Sequence, residues 1–337
     1  MSKNLTVQQY SPFRRVRGSD GDSVRKILIC PLNWGLGHAT RCEPVIRRLM
    51  SEGHEVVIAA DGYPLKFLQK QFPQLRTIES KSYPIRYSKG NTLVWVMLPF
   101  IPKFFNGIAK EHRWLKNLLK KEHFDQVISD NRFGLWNKNT YSTYITHQVM
   151  IKMPRNLKWF EPVTYKIHRQ FIDRYNECWI PDYEADGGLS GDLSHKYPIP
   201  PNAEYIGMLS RFDKLVDIAP DTEYETMVIL SGVEPQRTIF EEAMLEKFKN
   251  LSQRTLIVRG KPAPEVRVER IGQVDMISHL EDEKFAAILK GCREIICRAG
   301  YSTVMDLEVL RVLNKALFYP TPGQTEQEYL AVYLNEK

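Results

Sequence analysis

The chain has 337 residues, 43% of them hydrophobic and 26% charged, which is enough sequence for two globular domains whose cores need no disulfide staples. No apolar stretch reaches the roughly 18 residues of a membrane-spanning helix, and residues 1–24 lack the apolar core of a signal peptide. The five cysteines form neither a CxxC pair nor a zinc-binding spacing, so we expect reduced, mostly buried thiols in a cytoplasmic protein.

The net charge of +7 is concentrated in the first third of the chain. Residues 1–124 carry 21 Lys and Arg against 9 Asp and Glu, whereas the remainder carries 26 against 31. This asymmetry indicates either an anionic partner for the N-terminal part or an ordinary solvated basic surface. Nucleic acid is not the expected partner, because no recognisable nucleic-acid-binding module surrounds the basic residues.

The first half of the chain alternates predicted strands and helices. After a flexible segment at 1–24, strands are predicted at 26–32, 55–61, 125–130, 142–148 and 177–182. Helices are predicted from about Glu43 to Gly53 and over 64–71. This order predicts a parallel sheet with right-handed crossovers, in which ligands bind at the C-terminal ends of the strands.

A second α/β series begins after a stretch at 183–204 that is rich in Gly, Pro, Ser and Asp. Its strands are predicted at 226–232, 254–260, 293–300 and 315–320. The predicted fold class is therefore α/β, with an N-terminal domain at 25–204 and a C-terminal domain at 205–337.

The loop after the first strand, LNWGLGHATRCE at 32–43, is the first candidate site. Gly35 and Gly37 allow a sharp turn and a close approach to a ligand, and the N–H groups of the following helix favour an anion. His38 is predicted to be a general base at the rim of the strand. A structural histidine is the alternative, since the loop lacks the third glycine of the usual dinucleotide fingerprint.

Two loops in the second half of the chain are candidate anion-binding sites at the N-termini of helices. In ILSGVEPQRT these residues are Ser231, Gly232 and Arg237, whose guanidinium is a predicted phosphate ligand. In ICRAGYSTVMDLEVL the candidate donor-binding residues are Arg298, Gly300, Ser302, Thr303 and Asp306. The Asp306 carboxylate is predicted to bind ribose hydroxyls, although a carboxylate near a helix start also serves stability alone.

A third loop, YPTPGQTEQEYLA at 319–331, ends in a run of polar side chains. Gln324, Gln327 and Glu328 suit sugar hydroxyls, which need paired donors and acceptors, and they equally suit a polar helix start. Taken in order, the glycine loop and the three polar loops predict two facing domains with a cleft the size of a nucleotide sugar.

These motifs resemble those of GT-B glycosyltransferases of the family-28 type, which include the bacterial enzyme that adds N-acetylglucosamine to lipid I. The chain also resembles the wider UDP-glycosyltransferase superfamily. GLGHATR at 35–41 is similar to the family's Gly-His loop, and ICRAGYSTVMD at 296–306 is similar to its Cys-Arg-Ser-Gly-x-x-Thr-x-x-Glu stretch. The Pro-rich loop ending in Gln327 and Glu328 is similar to a family loop that ends in Gln-Gln or Asp-Gln.

The resemblance implies two Rossmann-like domains, inversion at the anomeric carbon and no obligatory metal or other cofactor. It implies a UDP-sugar on the C-terminal domain and a glycan or lipid-linked acceptor of the cell envelope on the N-terminal one. His38 matches the family's catalytic or phosphate-neighbouring histidine, and Leu280 in ISHLED matches the residue that holds the base. Asp306 stands in for the glutamate on the ribose, and Gln327 with Glu328 for the pair at the donor sugar. Residues that would lie by the diphosphate are Ser231, Gly232, Arg237, Gly300, Ser302 and Thr303.

The chain departs from the family pattern in three ways. Ser231-Gly232-Val233 replaces a Gly-Gly-Ser, which bears on the diphosphate contacts, and Glu328 replaces a glutamine, which bears on the identity of the sugar. The chain also stops soon after Leu330, where the family continues with one or two helices, the last crossing back to the N-terminal domain.

Residues 92–121 combine an apolar cluster with a basic helix pattern. Phe104, Phe105, Ile108, His112, Leu115 and Leu119 share one face of that pattern, and six Lys and Arg supply charge. The pattern indicates either peripheral contact with the anionic inner face of a membrane or a helix packed on the core with a solvated basic side.

Two other functions fit the same motifs. A UDP-sugar 2-epimerase would use carboxylates at the sugar, for which Glu234, Asp306 and Glu328 are candidates. A non-catalytic nucleotide-sugar-binding protein is the other reading. Product analysis without an acceptor distinguishes an epimerase from a transferase, because only the epimerase converts the donor alone.

Overall fold

The structure is a computed structural model that describes residues 23–82, 100–232, 234–261 and 266–337. The chain divides into two compact units between Leu209 and Ser210, against a domain boundary predicted at 204/205. Each unit is built on its own sheet of mainly parallel strands, so the α/β class predicted from the sequence is confirmed.

The N-terminal unit contains a parallel sheet with helices between its strands. Its strands are β1 (Lys26–Pro31), β2 (Glu55–Ala60), β3 (Arg76–Glu79), β4 (Gln126–Asp130), β5 (Tyr141–Ile145), β6 (Glu177–Ile180) and β7 (Ala203–Tyr205). Its helices are α1 (Gly37–Ser51), α2 (Gly62–Gln71), α3 (Phe100–Leu119), α4 (Glu161–Ile172) and α5 (Asp192–His195), with 3₁₀ turns at Arg155–Phe160 and Ala185–Gly187. The strand order is β3-β2-β1-β4-β5-β6-β7, and the paired strands run parallel.

The C-terminal unit repeats the plan with one antiparallel edge. Its strands are β8 (Thr226–Ile229), β9 (Thr255–Val258), β10 (Val268–Ile271), β11 (Val274–Ile277), β12 (Glu294–Arg298) and β13 (Ala316–Tyr319). Its helices are α6 (Gln236–Phe248), α7 (Asp282–Gly291), α8 (Tyr301–Val309) and α9 (Thr325–Asn335), with 3₁₀ turns at Asp213–Leu215 and Leu313–Lys315. The order is β10-β11-β9-β8-β12-β13, with β10 antiparallel to β11.

The predicted start of helix α1 is wrong by about six residues. The helix begins at Gly37 rather than near Glu43, so His38 lies in its first turn and not in the preceding loop. Ala39 and Cys42 are buried with Val45 and Ile46, which extends the helical spacing of apolar residues back by one turn. Ala39 and Cys42, which precede the predicted start, are therefore part of the buried face of the helix.

Helix α3 packs most of its apolar side on the core. Ile108 and Leu115 are buried in the clusters that cover the sheet, and Phe104 packs against the same core. Of the two interpretations of this helix, packing on the core therefore describes Phe104, Ile108 and Leu115, whereas Phe105 is exposed. The part of that prediction at residues 92–99 lies outside the described residues. Within the described ranges, no helix is both long enough and apolar enough to cross a membrane.

A buried ion pair ties α3 to the end of β4. Arg132 Nε donates to Glu111 Oε1 at 2.8 Å, and the Gly134 N–H donates to Glu111 Oε2 at 3.2 Å. Both charged side chains are almost wholly buried, and Arg132 also donates to Ser80 Oγ at 3.1 Å. The pair holds the loop that follows β4 against a helix from another part of the sequence.

We expect Glu111→Gln to lower the free energy of unfolding of the N-terminal unit by about 3–5 kcal/mol, because it leaves the buried Arg132 cation without its carboxylate. All six tryptophans lie before residue 210, so tryptophan fluorescence in urea reports this unit. The matched control is Glu52→Gln, which removes the exposed pair with Arg48 and should cost under about 1 kcal/mol. Equal losses of stability in the two variants would contradict the stabilising role of the Glu111–Arg132 pair.

Candidate functional site

Each sheet has one point where the winding of the chain reverses, and the candidate residues lie there. In the N-terminal unit this point is between β1 and β4, and in the C-terminal unit it is between β8 and β12. Loops leave such neighbouring strands in opposite directions and open a crevice at their C-terminal ends, where ligands of open α/β sheets bind. His38 lies at the switch point of one unit, and the loops after Ile229 and Arg298 lie at that of the other.

The glycine loop between β1 and α1 carries the chain sharply into the helix that holds His38. Gly35 has a φ of +76°, a conformation that side-chain-bearing residues rarely adopt, and Gly37 is the first residue of α1. His38 is mostly buried, with 13% of its side chain exposed. This arrangement leaves a histidine in the first turn of a helix, at the switch point of the sheet.

His38 is part of a buried polar cluster with Asp130, the last residue of β4. The His38 Nδ1 lies 3.2 Å from Asp130 Oδ1, and Arg41 Nε donates to Asp130 Oδ2 at 3.0 Å. Arg41 Nη2 also donates to Asp130 Oδ1 and lies 2.9 Å from His38 Nδ1. A histidine whose Nδ1 is held by a buried carboxylate has its Nε2 left to act as a base.

Charge and hydrogen bonding keep Asp130 ionised despite its complete burial. Burial alone would raise the pKa of Asp130, but the charge and hydrogen bonds of Arg41, together with the neighbouring His38, lower it to about 2. The Cys42 Sγ lies 3.6 Å from Asp130 Oδ2, and burial raises the pKa of this thiol well above its usual value. The carboxylate is therefore the anion of the cluster, and Cys42 stays a thiol.

Asp130, Arg41 and His147 are members of the site that sequence reasoning missed. His147 follows β5, and Arg41 Nη1 lies 3.1 Å from its Nδ1. Asn131, which follows Asp130, has a φ of +57° and accepts a hydrogen bond from the Tyr144 hydroxyl at 3.0 Å. The signal for Asp130 was the polar end of DQVISD at the ligand-binding edge, but neither spacing nor composition indicates that this strand neighbours β1.

The low pKa of Asp130 predicts a specific loss of stability in acid. The folded value of about 2 lies below the ordinary value of 3.8, so the group stabilises the fold above about pH 4 and that contribution fades as pH falls toward 2. We expect the difference in unfolding free energy between the wild type and Asp130→Asn to shrink by about 2 kcal/mol between pH 5 and pH 2.5.

Urea unfolding followed by tryptophan fluorescence at several pH values measures this difference. The control is Asp173→Asn, which removes an exposed carboxylate paired with Arg169 and should differ little from the wild type throughout. A gap between wild type and Asp130→Asn that stays constant with pH would show that Asp130 does not carry this linkage.

In the C-terminal unit the switch-point loops bring glycines and two helix starts to one edge. Gly232 has a φ of +97°, and among the described residues, chain neighbours aside, no atom lies within 4 Å of a Cβ built on Gly232 or on Gly300. Ser231 is half-buried before Gly232, and Ser302 and Thr303 are half-buried in the first turn of α8. Backbone without a Cβ in these two loops lets a bulky anion approach the N–H groups of the helix starts.

The predicted phosphate ligand Arg237 is held inside the domain. Its guanidinium donates to Glu234 Oε1 at 2.8 Å, to Glu241 Oε2 at 2.7 Å and to the carbonyl of Arg259 at 3.2 Å. A phosphate would have to displace these acceptors. Against the opposing effect of burial, the hydrogen bonds to Glu241 and Glu234 raise the pKa of Arg237, and hydrogen bonds from Thr238 and Arg237 lower that of Glu234 to about 2.

Arg298 is the buried cation at this edge that has carbonyl rather than carboxylate partners. It donates to the carbonyl of Pro320 at 2.6 Å and to that of Gln236 at 3.1 Å, and its guanidinium carbon lies 4.0 Å from the centroid of the Phe240 ring. Its Nε is buried without a hydrogen-bond partner within the described part of the chain. Arg298 is 5% exposed, and burial lowers its pKa.

The remaining predicted donor residues lie on the same edge, but several already make contacts inside the unit. Asp306 Oδ1 accepts from Ser210 Oγ at 2.6 Å, so part of the predicted ribose ligand is engaged. Gln327 Oε1 accepts from the Thr321 N–H at 2.9 Å, and Glu328 Oε1 from the Gly323 N–H at 2.8 Å. These two side chains hold the loop before α9 in place. Each of them has a second polar atom, Nε2 of Gln327 and Oε2 of Glu328, in addition to the oxygen used in these contacts.

The loops at two other strand ends complete this edge. Gln324 precedes α9 and is half-buried. Leu280 lies half-buried between β11 and α7. Across the described ranges, no group of three or more His, Cys, Asp or Glu side chains is placed to hold a metal ion.

The fold is that of the GT-B glycosyltransferases, as the sequence motifs predicted. The glycosyltransferase of kitacinnamycin superposes with a TM-score of 0.59 at 13% identity, over 93% of this chain and 85% of that one. Arabidopsis thaliana UGT89C1 complexed with UDP-L-rhamnose gives 0.53 at 13% identity, over 94% and 90%. LpCGTa in complex with UDP gives 0.56 at 14% identity, over 93% and 83%.

Two sequence relatives extend along nearly the whole chain. An uncharacterized glycosyltransferase of Methanosarcina acetivorans is 23% identical over 336 residues, covering 93% of this chain and 84% of its own. One of Methanosarcina mazei is 22% identical over 325 residues with the same coverage. No protein-family model matches the chain. Relatives and structural neighbours alike are glycosyltransferases, and the comparisons place this protein in that class of enzyme.

Proposed function

We propose that this protein transfers a sugar from a UDP-sugar to a hydroxyl acceptor, with inversion at the anomeric carbon and without an obligatory metal or other cofactor. The observation that carries the proposal is the contact between His38 and the buried Asp130 carboxylate at the switch point of the N-terminal sheet. The donor class is supported by two structural neighbours, one complexed with UDP-L-rhamnose and one with UDP.

His38 supplies the base in this proposal. Its Nε2 takes the proton of the acceptor hydroxyl as the oxygen forms a bond to C1 of the sugar and the bond from C1 to the UDP oxygen breaks. Asp130 Oδ1 accepts from Nδ1 and stabilises the imidazolium that forms. A single displacement of this kind places the new bond on the face opposite the leaving group, which is why inversion is expected.

The C-terminal unit supplies the positive potential for the departing UDP. The helix starts of α6 and α8, with Gly232 and Gly300 beside them, offer backbone N–H groups to the diphosphate. Arg298 adds a guanidinium whose hydrogen bonds go to the carbonyl oxygens of Pro320 and Gln236. We assign Arg237 a supporting role instead, because it pairs with Glu234 just before α6 and with Glu241 in the second turn of that helix.

We expect His38→Gln to lower kcat by about 10²–10⁴-fold while UDP binding is unchanged, because the base is lost but the donor unit is intact. The measurement is transfer to a panel of hydroxyl acceptors with UDP-glucose or UDP-GlcNAc, followed by mass spectrometry and anomeric analysis, with EDTA in parallel. The matched control is His54→Gln, a mostly buried histidine at the other end of the sheet.

Three outcomes would contradict the proposal in different parts. Full turnover in His38→Gln would contradict the role of His38 as the base. Conversion of the donor sugar to its 2-epimer without an acceptor would identify an epimerase instead. Calorimetric binding of UDP-sugar with no turnover on any acceptor would favour a non-catalytic binding protein.

For the acceptor we propose a lipid-linked hydroxyl, met at the surface of an anionic bilayer. Four apolar side chains of the N-terminal unit, here called the apolar patch, are exposed: Phe105, Trp159, Val163 and Ile167. Trp159 is 73% exposed, and Val163 and Ile167 follow it at four-residue spacing on the outer side of α4. Phe105 reaches the same helix through a ring contact of 6.2 Å with Phe171.

Basic side chains accompany the apolar patch. Lys158 directly precedes Trp159 in the sequence, Lys166 directly precedes Ile167, and both lysines are exposed. On the outer side of α3, Lys110, Arg113 and Lys116 are exposed. An exposed apolar stripe with flanking cations is typical of a surface that rests in the headgroup region of anionic lipids.

We expect the protein to sediment with phosphatidylglycerol vesicles at low salt and to be released at high salt. Lys158→Gln with Lys166→Gln should weaken binding about 30-fold, since each cation near an anionic surface contributes about 1 kcal/mol. Lys214→Gln with Lys247→Gln in the C-terminal unit is the matched control and should bind as the wild type does. Equal binding by all three proteins, or no binding at low salt, would overturn the proposal.

A further inference from the structure

Two groups compete for one nitrogen of His38. The His38 Nδ1 lies 3.2 Å from Asp130 Oδ1 and 2.9 Å from Arg41 Nη2. Arg41 follows His38 by three residues, so both side chains lie on the same face of α1. Arg41 is 1% exposed, and its pairing with both oxygens of Asp130 fixes its guanidinium in this position.

The two contacts require opposite protonation of Nδ1. A guanidinium has only N–H donors, so a hydrogen bond from Arg41 Nη2 needs a lone pair on Nδ1. A carboxylate only accepts, so a hydrogen bond to Asp130 needs a proton on Nδ1. A neutral ring with its lone pair on Nδ1 carries its proton on Nε2, and that tautomer has no site at Nε2 for the proton of an acceptor.

A second histidine shows how Arg41 acts on an imidazole. Arg41 Nη1 lies 3.1 Å from His147 Nδ1, and this contact is a hydrogen bond only if His147 Nδ1 carries no proton. The groups in contact with the His38 ring are Arg41 from α1 and Asp130 from β4. Arg41 in turn contacts His147 from the segment after β5, and Asp130 contacts Cys42 from α1. Asp130 is the acceptor of this set, and Arg41 already donates to both of its oxygens.

We propose that Arg41 is a positioning residue that decides which nitrogen of His38 carries the proton, and that in the free protein it holds His38 as the Nε2–H tautomer. The base is then masked until Nδ1 exchanges Arg41 for Asp130, and only the Nδ1–H tautomer can accept the proton of the acceptor hydroxyl on Nε2. The inference deepens the proposed function and rests on it for its consequence in catalysis.

The test reads the tautomer directly. Protein labelled with ¹⁵N-histidine is studied at pH 8 by long-range ¹H–¹⁵N correlation, in which the ring nitrogen without a proton resonates far downfield of the one that carries it. Loss of one set of signals in His38→Gln assigns His38 among the eight histidines. We expect the wild-type His38 to show the Nε2–H pattern and Arg41→Lys to show the Nδ1–H pattern, because lysine keeps the charge beside Asp130 but lacks the fork.

The matched control is Arg47→Lys on the same helix. Arg47 also donates through its fork to a buried carboxylate, which is that of Glu43 and not that of Asp130. This variant should leave the His38 signals where they are in the wild type. Tryptophan fluorescence in urea checks that each variant is folded.

Either of two results overturns the inference. One is a wild-type His38 that shows the Nδ1–H pattern or two protonated nitrogens. This result needs only the wild-type spectrum, so it holds even if Arg41→Lys does not fold. The other is a folded Arg41→Lys with the wild-type pattern. The spectra need no substrate, so the tautomer of His38 is measured even if the proposed transfer reaction is not observed. Conversely, a His38 tautomer other than the expected one does not change the outcome of the transfer assay.

Discussion

A fully buried carboxylate at the end of a strand is costly unless cations reach it, and Asp130 is stabilised by the guanidinium of Arg41. This ion pair joins β4 to the first turns of α1. Because β1 and β4 run parallel and are neighbours, the end of β4 and the start of α1 meet at the same edge of the sheet. The position of His38 therefore depends on an interaction between segments about 90 residues apart.

The same device recurs along this edge of the N-terminal unit. Asp182, which follows β6 and is buried, accepts from the N–H groups of Leu189 and Ser190 at 2.8 and 2.9 Å and lies 3.2 Å from His195 Nε2. Burial raises the pKa of Asp182, but these hydrogen bonds outweigh burial and lower it. A Cβ on Gly188 would lie 2.4 Å from the carboxylate oxygens, so the loop can close around Asp182 only with glycine there.

Glu161 extends the pattern to the start of α4, where it pairs with Lys196 Nζ at 2.5 Å and lies 4.0 Å from Lys152 Nζ. Loops that carry function are usually the least stable part of a domain. Here buried carboxylates hold them, and the cysteines in the described ranges are free thiols. A preorganised edge of this kind suits a site whose base must be held in one orientation.

Local sequence patterns were enough to predict much of this fold, but they could not predict which residues contact His38. Apolar runs such as KILICP predict strands because both faces of a parallel sheet are covered, and Gly35 with His38 marked the first ligand edge. Asp130 as the partner of His38 requires the strand order, which is set by long-range packing. The hairpin of β10 and β11 was missed because Val268–Ile271 is largely exposed and lacks an apolar run.

Two arginines near the switch point of the C-terminal sheet, Arg237 and Arg298, show why residue type alone is a poor guide to charge. Arg237 sits between Glu234 and Glu241, so the field of its cation is largely cancelled before it reaches a ligand. Arg298 is held by carbonyls and by the face of the Phe240 ring, which orient a cation without neutralising it. Burying such a cation is unfavourable, and a diphosphate beside it would reduce that cost, whereas the ion pairs of Arg237 gain little from one. The electrostatic preference of the edge for an anion therefore comes from Arg298 and the helix starts rather than from the more obvious Arg237.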